Sequence, residues 1–300
     1  DKPMIYYPLC TLMEANIRNI LCICTQKELP NFSKLLGNGN QWGIEISFAI
    51  QNKPKGIAES FIIGSNFIDT DNVALILGDN IFYGIDFEEY LSLDDKRFNG
   101  AQIFVYKVPD PQRYGVVEIK DEKVISIEEK PVNPKSNFVA TGLYFYENSV
   151  KEIAKTIKPS NRNEIEITDI NKHYLNQNNL KAKILKQGMV WLDAGTSTSL
   201  LQASHYVQTI QERQNIQIGC PEEIALKKNW ITLENFELCN LAETFPPRCK
   251  NYSRFYKALK FATFYASTVS LLPTHRPETN TVIAKNRRIG VSISGIAQWA

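Results

Sequence analysis

The feature that most constrains the fold of this chain is an alternation of helix-like and strand-like segments over residues 3–77. Apolar residues repeat at helical spacing in some segments and form short continuous runs in others. The predicted segments are, in order, a helix over 3–17, a strand over 19–25, a helix over 27–36, a strand over 44–51, a helix over 57–67 and a strand over 73–77. This alternation predicts βαβ units, with a parallel sheet and helices on both of its faces.

The last of these strands is apolar throughout and is followed closely by a carboxylate. Residues 73–77 have no polar side chain, so we expect both faces of the strand to be covered. Gly78, Asp79 and Asn80 follow directly. Because ligands of parallel sheets bind beyond the carboxyl ends of the strands, Asp79 is a candidate ligand-binding residue. The alternative is that Gly-Asp-Asn is only a turn, since all three residue types favour turns.

A second apolar segment, over residues 188–193, also ends on a carboxylate, and Gly195 lies two residues beyond it. If the two strands are neighbours, Asp79 and Asp193 form a pair of hard oxygen ligands suited to Mg²⁺ bound to a nucleotide phosphate. Two unrelated turn residues are the alternative, because separation along the chain does not fix a distance in the fold. Thr196 is predicted to cap the helix that follows.

The middle of the chain is predicted to contain further strands. Asp121 and Glu122 form a predicted tight turn that joins two of these strands as a hairpin. The predicted strands lie over 101–108, 115–120, 123–129, 140–146 and 181–185, and helices are predicted over 149–157 and 169–176.

Composition narrows the class of protein. The chain has 300 residues, a net charge of +2 and apolar and charged fractions of 43% and 22%. These values predict a globular chain with one large domain or one domain plus a smaller one, and favour neither a nucleic acid polymer nor a membrane as a partner. The six cysteines lack zinc-site spacing and are interpreted as reduced thiols, which predicts a cytoplasmic location.

Eight motifs occur in the order in which they occur in the glucose-1-phosphate thymidylyltransferase family, which the chain resembles from residue 1 to about residue 231. The motifs are 1–9 (DKPMIYYPL), 41–44 (QWGI), 77–84 (LGDNIFYG), 113–118 (RYGVVE), 128–131 (EEKP), 141–146 (TGLYFY), 166–171 (EITDIN) and 191–196 (WLDAGT). The resemblance implies a three-layer, Rossmann-like α/β fold with a mostly parallel mixed sheet. It also implies transfer of a nucleotidyl group from dTTP to glucose 1-phosphate, with Mg²⁺ as cofactor and a homo-oligomeric assembly.

The resemblance also implies roles for particular residues. Asp79 and Asp193 correspond to the metal ligands and, with Lys130, to the catalytic residues. The remaining correspondences are Gln51 and Gly56 at the pyrimidine base, Tyr114, Gly115, Glu129 and Lys130 at the sugar phosphate, and Asn80, Thr141, Gly142 and Trp191 along the same cleft. From the residues alone, 128–130 could be a solvated charge run, Trp191 a core residue and Gln51 a polar strand end.

The chain departs from the family at its beginning. The family starts with a strand and a Gly-x-Gly-x-Arg loop that cradles the triphosphate, and neither lies within these 300 residues. We therefore expect a nucleotidyltransferase domain that is truncated at its N-terminus, lacks its first strand and turns over poorly, since backbone amides and basic residues of such a loop neutralise the triphosphate. The strands beside the missing one should show unpaired edges.

The chain also departs from the family after about residue 231. Residues 232–300 resemble a fragment of adenosylcobalamin-dependent ribonucleotide reductase, in which Cys239 matches a cysteine of the redox pair. Residues 226–230 stand where that family has Asn-Pro-Cys-Gly-Glu, so this tail cannot reduce ribonucleotides by itself. The expected domains are thus 1–231 and 232–300, the second mainly helical or irregular, with Ser253 capping a helix. The alternatives are a non-enzymatic chimeric product and a reductase-derived interaction module.

Overall fold

The computed structural model describes residues 2–91, 98–232, 240–244, 252–269 and 289–293. Its contacts divide the chain into two units, Asp1–Ile224 and Ala225–Ala300. The domain boundary expected from the sequence lies near residue 231, a few residues beyond this division. Among the described residues, no helix combines the length and the apolar character needed to cross a lipid bilayer.

The first unit alternates helices and strands, as the sequence pattern predicts. Its helices are α1 (Tyr6–Glu14), α2 (Leu29–Leu36), α3 (Glu59–Ile63), α4 (Ser65–Ile68), α5 (Phe87–Leu91), α6 (Val150–Thr156), α7 (Ile167–Asn176) and α8 (Ser197–Gln214). Its strands are β1 (Asn19–Cys24), β2 (Glu45–Ile50), β3 (Val73–Ile76), β4 (Asn80–Tyr83), β5 (Ala101–Lys107), β6 (Gly115–Lys120), β7 (Lys123–Glu129), β8 (Phe138–Tyr146), β9 (Leu180–Ile184) and β10 (Val190–Asp193).

Several local predictions are confirmed in detail. Strands β6 and β7 begin and end where predicted, and Asp121 and Glu122 between them take the left-handed φ values of 49° and 61° that a two-residue hairpin turn requires. Thr196 caps α8, since its Oγ1 accepts a hydrogen bond from the backbone N–H of Ser199 at 3.2 Å. The helix predicted over 57–67 is instead two short helices, α3 and α4, that meet at Gly64.

The central sheet is mixed, as expected, but its pairings are mostly antiparallel rather than mostly parallel. Strand β8 lies antiparallel to β3, β5 and β6, and β6 lies antiparallel to β7, whereas β9 pairs parallel with β5. Strand β8 therefore runs in the same direction as β7, from which it is separated by β6.

Side chains on the two faces of this sheet form two separate cores. Ile103, Val105 and Tyr146 pack on one face against α3, α6 and α7. Phe104 and Phe145, which alternate with them, pack on the other face, with side chains of β4, α5 and β10. The alternation of strand side chains therefore builds three layers, with the sheet in the middle.

Strands β1 and β3 each pair on one side only within the described residues. Strand β1 pairs parallel with β2, and β3 pairs with β8. No backbone hydrogen bond joins β1 to β3 in the described part of the chain. An apolar cavity separates them, and we call it the open slot. Its lining includes Ile20, Leu21 and Ile23 from β1, Val73 to Ile76 from β3, and Leu12, Phe61 and Ile68 from the helical segments.

The open slot explains why β3 is only half-buried. As the apolar run predicts, both faces of the strand are covered, since Val73 and Leu75 pack against one core and Ala74 and Ile76 against the other. Each residue of β3 is nevertheless only half-buried. An apolar run predicts burial only when both neighbouring strands are present. Here one neighbour of β3 is a cavity.

The second unit contains a helix and a pair of short strands. Helix α9 (Pro221–Lys227) spans the division between the units. Helix α10 (Tyr252–Val269) confirms that a helix forms here, but Ser253 is its second residue, so the prediction that Ser253 caps it is wrong. Strand β11 (Asn240–Thr244) pairs parallel with β12 (Ile289–Ile293), and the sequence pattern did not predict this pair. Cys239 lies outside the described residues. On α10, Phe255 and Ala266 are buried and Phe261 and Phe264 are exposed.

Candidate active site

Backbone pairing brings the two strand-end carboxylates together. Strands β4 and β10 run antiparallel, with Asn80 opposite Asp193, and the backbone N–H of Ala194 donates to the carbonyl oxygen of Asp79 at 2.9 Å. A Cβ atom placed on Gly195 would lie 3.0 Å from Oδ2 of Asp79 and 3.1 Å from Oδ1 of Asp193. Both carboxylates therefore face the same small volume beside Gly195.

Asn80 is almost completely buried, and its side chain forms hydrogen bonds that orient the first carboxylate of this pair. Its Nδ2 donates to Oδ1 of Asp79 at 2.8 Å. Its Oδ1 accepts from the indole N–H of Trp191 at 2.6 Å and from the backbone N–H of Gly142 at 3.1 Å. Because every one of these bonds is directional, the Asp79 carboxylate is held in one orientation.

Gly142 leaves the space that the Asn80 side chain occupies. A Cβ atom at this position of β8 would lie 2.4 Å from Oδ1 of Asn80. The neighbouring Thr141 side chain is also buried, and its hydroxyl donates to the carbonyl oxygen of Phe104 at 3.0 Å. The Thr141 hydroxyl is thus occupied by the sheet, and Gly142 is the residue of this strand that contacts Asn80.

Tyr114 joins the carboxylate pair to the next group of residues. Its ring packs edge-on against Trp191 with centroids 5.2 Å apart. Burial raises the pKa of the Tyr114 phenol, and the nearby Asp193 carboxylate, which accepts a hydrogen bond from it, raises this pKa further. The phenol therefore stays protonated and can donate to Asp193 throughout the neutral range.

A second cluster surrounds Glu129 at the end of β7. The Thr168 hydroxyl donates to Oε2 of Glu129 at 2.5 Å, and the Arg162 guanidinium lies 3.3 Å from Oε1. Gly115 lies beneath this contact, where a Cβ atom would be 3.2 Å from Oγ1 of Thr168. Arg162 also binds Glu166 at 2.8 Å, and this hydrogen bond is the main cause of the raised pKa of Arg162.

Lys130 follows Glu129 with a left-handed φ of 43°. Its backbone N–H donates to the carbonyl oxygen of Tyr114 at 3.0 Å, and its ammonium lies 4.0 Å from Oε1 of Glu129. The Lys130 side chain is 49% exposed. The backbone is therefore fixed, while the ammonium remains free to reach a bound anion.

Gln51 and Gly56 lie on a separate loop between β2 and α3. Gln51 Nε2 donates to Oε2 of Glu59 at 2.7 Å. Gly56 has φ of 100°, and a Cβ atom there would lie 2.3 Å from the carbonyl oxygen of Ile165. This loop is bonded to Ile165, because the N–H of Ile165 donates to the carbonyl oxygen of Lys55 at 2.7 Å and the N–H of Ala58 donates to that of Ile165 at 3.2 Å.

The candidate residues named from the sequence thus fall into three groups. The carboxylate pair with Asn80, Gly142, Trp191 and Tyr114 forms one, Gly115, Glu129 and Lys130 form the second, and Gln51 and Gly56 form the third. The segment 162–168 connects the second and third groups. Arg162, Thr168 and Glu59 are not identifiable as site residues from the sequence, since an isolated polar residue in a loop or at a helix start carries no local pattern.

The chemistry of the carboxylate pair fits Mg²⁺. In the described residues, no group of three or more His, Cys, Asp or Glu side chains could hold a metal. Magnesium, however, usually binds one or two carboxylates and takes its other ligands from water and substrate phosphates. Two converging carboxylate oxygens are therefore the expected protein contribution to such a site.

Comparisons with known proteins identify the family of this chain. The family model of the nucleotidyl transferases matches residues 1–210. A glucose-1-phosphate thymidylyltransferase from Neisseria meningitidis is 50% identical over 238 residues, which is 79% of this chain and 83% of that protein. One from Mycobacterium tuberculosis is 51% identical over 235 residues, covering 77% of this chain and 80% of that protein.

Solved structures show the same fold. A protein from Bacillus anthracis described as a glucose-1-phosphate thymidylyltransferase, in complex with sucrose, is 35% identical, with a TM-score of 0.65 over 74% of this chain and 86% of that chain. A UDP-glucose pyrophosphorylase complexed with UDP-glucose is 22% identical with a TM-score of 0.59 over 69% of this chain and 87% of that chain, and it supports the fold alone. The chain therefore belongs to the nucleotidyl transferase family, and within it to the glucose-1-phosphate thymidylyltransferases.

Proposed function

We propose that this protein transfers the thymidylyl group of dTTP to the phosphate of glucose 1-phosphate, giving dTDP-glucose and pyrophosphate. The observation that carries the proposal is the convergence of Asp79 and Asp193 beside Gly195, with Asn80 fixing the first carboxylate. Support for the substrates comes from relatives of about half-identical sequence that are named for this reaction.

Asp79 and Asp193 would hold Mg²⁺. The bound ion supplies positive charge that offsets the phosphate oxygens of the nucleotide. The protein contributes the orientation of both carboxylates, through Asn80 for Asp79 and through Tyr114 and the backbone N–H of Gly195, which donates to Oδ1 of Asp193 at 3.0 Å.

The cluster around Glu129 would bind the sugar phosphate. Lys130 and Arg162 are cations beside this carboxylate, and both can approach the phosphate of glucose 1-phosphate as hydrogen-bond donors. Glu129 can accept from sugar hydroxyl groups, and Gly115 leaves room for the contact between Thr168 and Glu129. Catalysis then consists of holding the attacking phosphate oxygen in line with the α-phosphorus of dTTP.

Gln51 and Gly56 would meet the pyrimidine base, and Thr141, Gly142 and Trp191 would line the cleft between base and sugar sites. At Thr141 the backbone rather than the hydroxyl would face the substrate, because the hydroxyl is bonded to Phe104. Trp191 would act by positioning Asn80 and Tyr114.

Turnover is proposed to be impaired. The strand that leads to Asp79 is paired on one edge only among the described residues, and precise placement of a catalytic group depends on rigid support. A homo-oligomeric assembly and a cytoplasmic location stay predictions. The alternative, a non-enzymatic chimeric product with a reductase-like tail, remains the proposal to be eliminated.

The test is release of pyrophosphate from dTTP and glucose 1-phosphate, measured with enzyme in stoichiometric amount so that a single slow turnover is visible. We expect pyrophosphate and dTDP-glucose in equal amounts, dependent on both substrates and on Mg²⁺, with no release after addition of EDTA. A folded chain that forms no dTDP-glucose in this assay and shows no thermal stabilisation by dTTP with Mg²⁺ would refute the proposal and favour the non-enzymatic alternative.

A further inference from the structure

We infer that Glu59 sets which pyrimidine nucleotide the protein accepts, by fixing the orientation of the Gln51 side-chain amide. The inference rests on the proposed function in one respect, which is that Gln51 meets the base. Glu59 itself would touch no substrate and acts as a positioning residue.

The hydrogen bond between these residues can form in one orientation only. Gln51 Nε2 donates to Oε2 of Glu59 at 2.7 Å. An ionised carboxylate has acceptors and no donor, so a reversed amide would place two acceptor oxygens against each other. The Lys55 ammonium lies 3.8 Å from the other oxygen of Glu59.

The position of Glu59 is itself fixed by the backbone. Its N–H lies 3.3 Å from the carbonyl oxygen of Gly56, the second residue proposed to meet the base. Gly56 packs directly on the backbone of Ile165, to which Lys55 and Ala58 are also bonded. The side chain of Glu59 is only 16% exposed. The acceptor that orients Gln51 is therefore part of a rigid frame that includes the rest of the base loop.

Fixing the amide leaves Gln51 with a defined pattern of free groups. One hydrogen of Nε2 is used by Glu59, so the carbonyl oxygen and the second hydrogen remain for a ligand. Thymine and uracil present an N3–H donor beside carbonyl acceptors, and this edge matches a carbonyl acceptor beside an N–H donor. Cytosine presents an N3 acceptor beside an amino donor, which opposes the same amide. A ligand that leaves such polar groups unpaired in a binding site loses affinity.

The distinguishing variant is Glu59→Gln, which keeps the size of the side chain but can donate as well as accept. The side-chain amide of Gln51 could then rotate by 180° and present the opposite pattern of donor and acceptor to the base. We expect the preference for dTTP over dCTP to fall by about 10-fold or more, a change in the range that one hydrogen-bonding mismatch supports. Most of the change should be a gain of affinity for dCTP, with the affinity for dTTP reduced less.

The experiment measures dissociation constants of dTTP and dCTP, each with Mg²⁺, for the whole 300-residue chain and its variants. Glu59→Asp, which keeps an acceptor-only side chain, should retain more of the preference than Glu59→Gln. Glu45→Gln, a change at an exposed position of β2, is the matched control and should leave the ratio unchanged.

The outcomes separate this inference from the proposed function. A parent chain that binds dTTP in preference to dCTP, with Glu59→Gln showing the same ratio, would overturn the role of Glu59 and leave the proposed function intact. Equal weakening of both nucleotides would likewise show a merely structural role. A folded parent chain that binds neither nucleotide would refute the proposed function itself.

Discussion

The two edges of β3 differ in whether the strand is paired with a neighbouring strand. On one edge, Val73 to Ile76 pair residue by residue with Tyr146 to Leu143 of β8. On the other edge, the same four residues line the open slot. We call the first the closed side and the second the open side. The strand is apolar throughout, yet all four residues are half-buried. The apolar composition of β3 therefore favours burial, and the strands that pair with it determine how much burial it reaches.

The closed side is also the side that builds the candidate site. Leu77 donates its backbone N–H to the carbonyl oxygen of Gly142 at 2.9 Å, just beyond β3. Asn80 then reaches back to the same glycine and to Trp191. The Asn80 side chain that orients Asp79 is thus held by Gly142 of β8, on the closed side, and by Trp191 of β10. None of these hydrogen bonds comes from the residues that line the open slot.

The largest effect is expected from a change at the carboxylate pair. Asp193→Asn keeps the shape of the side chain and removes its charge, so we expect the rate of pyrophosphate release to fall by about 100-fold or more, as for loss of one preorganised electrostatic group. Unfolding in urea should change little. Asp71→Asn, at an exposed position, is the control and should retain the parent rate. An active, folded Asp193→Asn variant would contradict the proposed site.

Two glycine substitutions test how tightly the closed side is packed. Gly142→Ala places a methyl group 2.4 Å from Oδ1 of Asn80 and should lower the free energy of unfolding by about 1–3 kcal/mol. Gly78→Ala is the matched control, because no atom lies within 4 Å of its Cβ position, and should change stability by less than about 0.5 kcal/mol. Midpoints of urea unfolding measure both, and equal destabilisation would argue against the Asn80 contact.

The same substitution in the buried sheet and beside the open slot compares full packing with partial packing. Ile103→Val removes a methylene from a fully buried residue of β5 and should cost about 1 kcal/mol. Ile23→Val removes it from a half-buried residue that lines the open slot, and should cost less than about 0.5 kcal/mol. Equal costs would mean that Ile23 is packed as fully as the core and that the open slot is closed in solution.

Alkaline titration of Tyr174, which packs on Tyr146 of the closed side, should give the smallest effect. Burial raises the pKa of Tyr174 to about 12, and its ring packs against Tyr146. The folded state holds this proton more tightly than the unfolded state, so the resulting stabilisation is complete below about pH 10 and is lost as pH rises through about 12. Between pH 9 and 11 the unfolding free energy of the parent should fall more steeply than that of Tyr174→Phe, by less than about 1 kcal/mol. Parallel slopes would contradict the raised pKa.

The sequence predicted the positions of most elements because their signals are local. The hairpin turn at Asp121 and Glu122 and the cap at Thr196 depend on a few adjacent residues. Strand β4 was missed because Asn80 follows a turn-like Gly-Asp pair, and its four residues become a strand only by pairing with β10. The direction of β8 and the half-burial of β3 likewise depend on partners that are distant in sequence.

The residues of the candidate site also differ in whether a local sequence pattern identifies them. Asp79 and Asp193 could be proposed as a pair from two apolar runs that end on carboxylates, but only the register of β4 with β10 places them side by side. Arg162 and Glu59 carry no such signal. Each becomes a candidate only because the fold brings it to Glu129 or to Gln51.

The open slot has a consequence for how copies of this chain behave towards one another. Among the described residues, the facing edges of β1 and β3 are unpaired, and apolar edges that carry backbone donors and acceptors can template pairing with a strand of another molecule. Colloidal stability should therefore depend on protein concentration much more steeply than the near-neutral net charge of +2 alone would suggest.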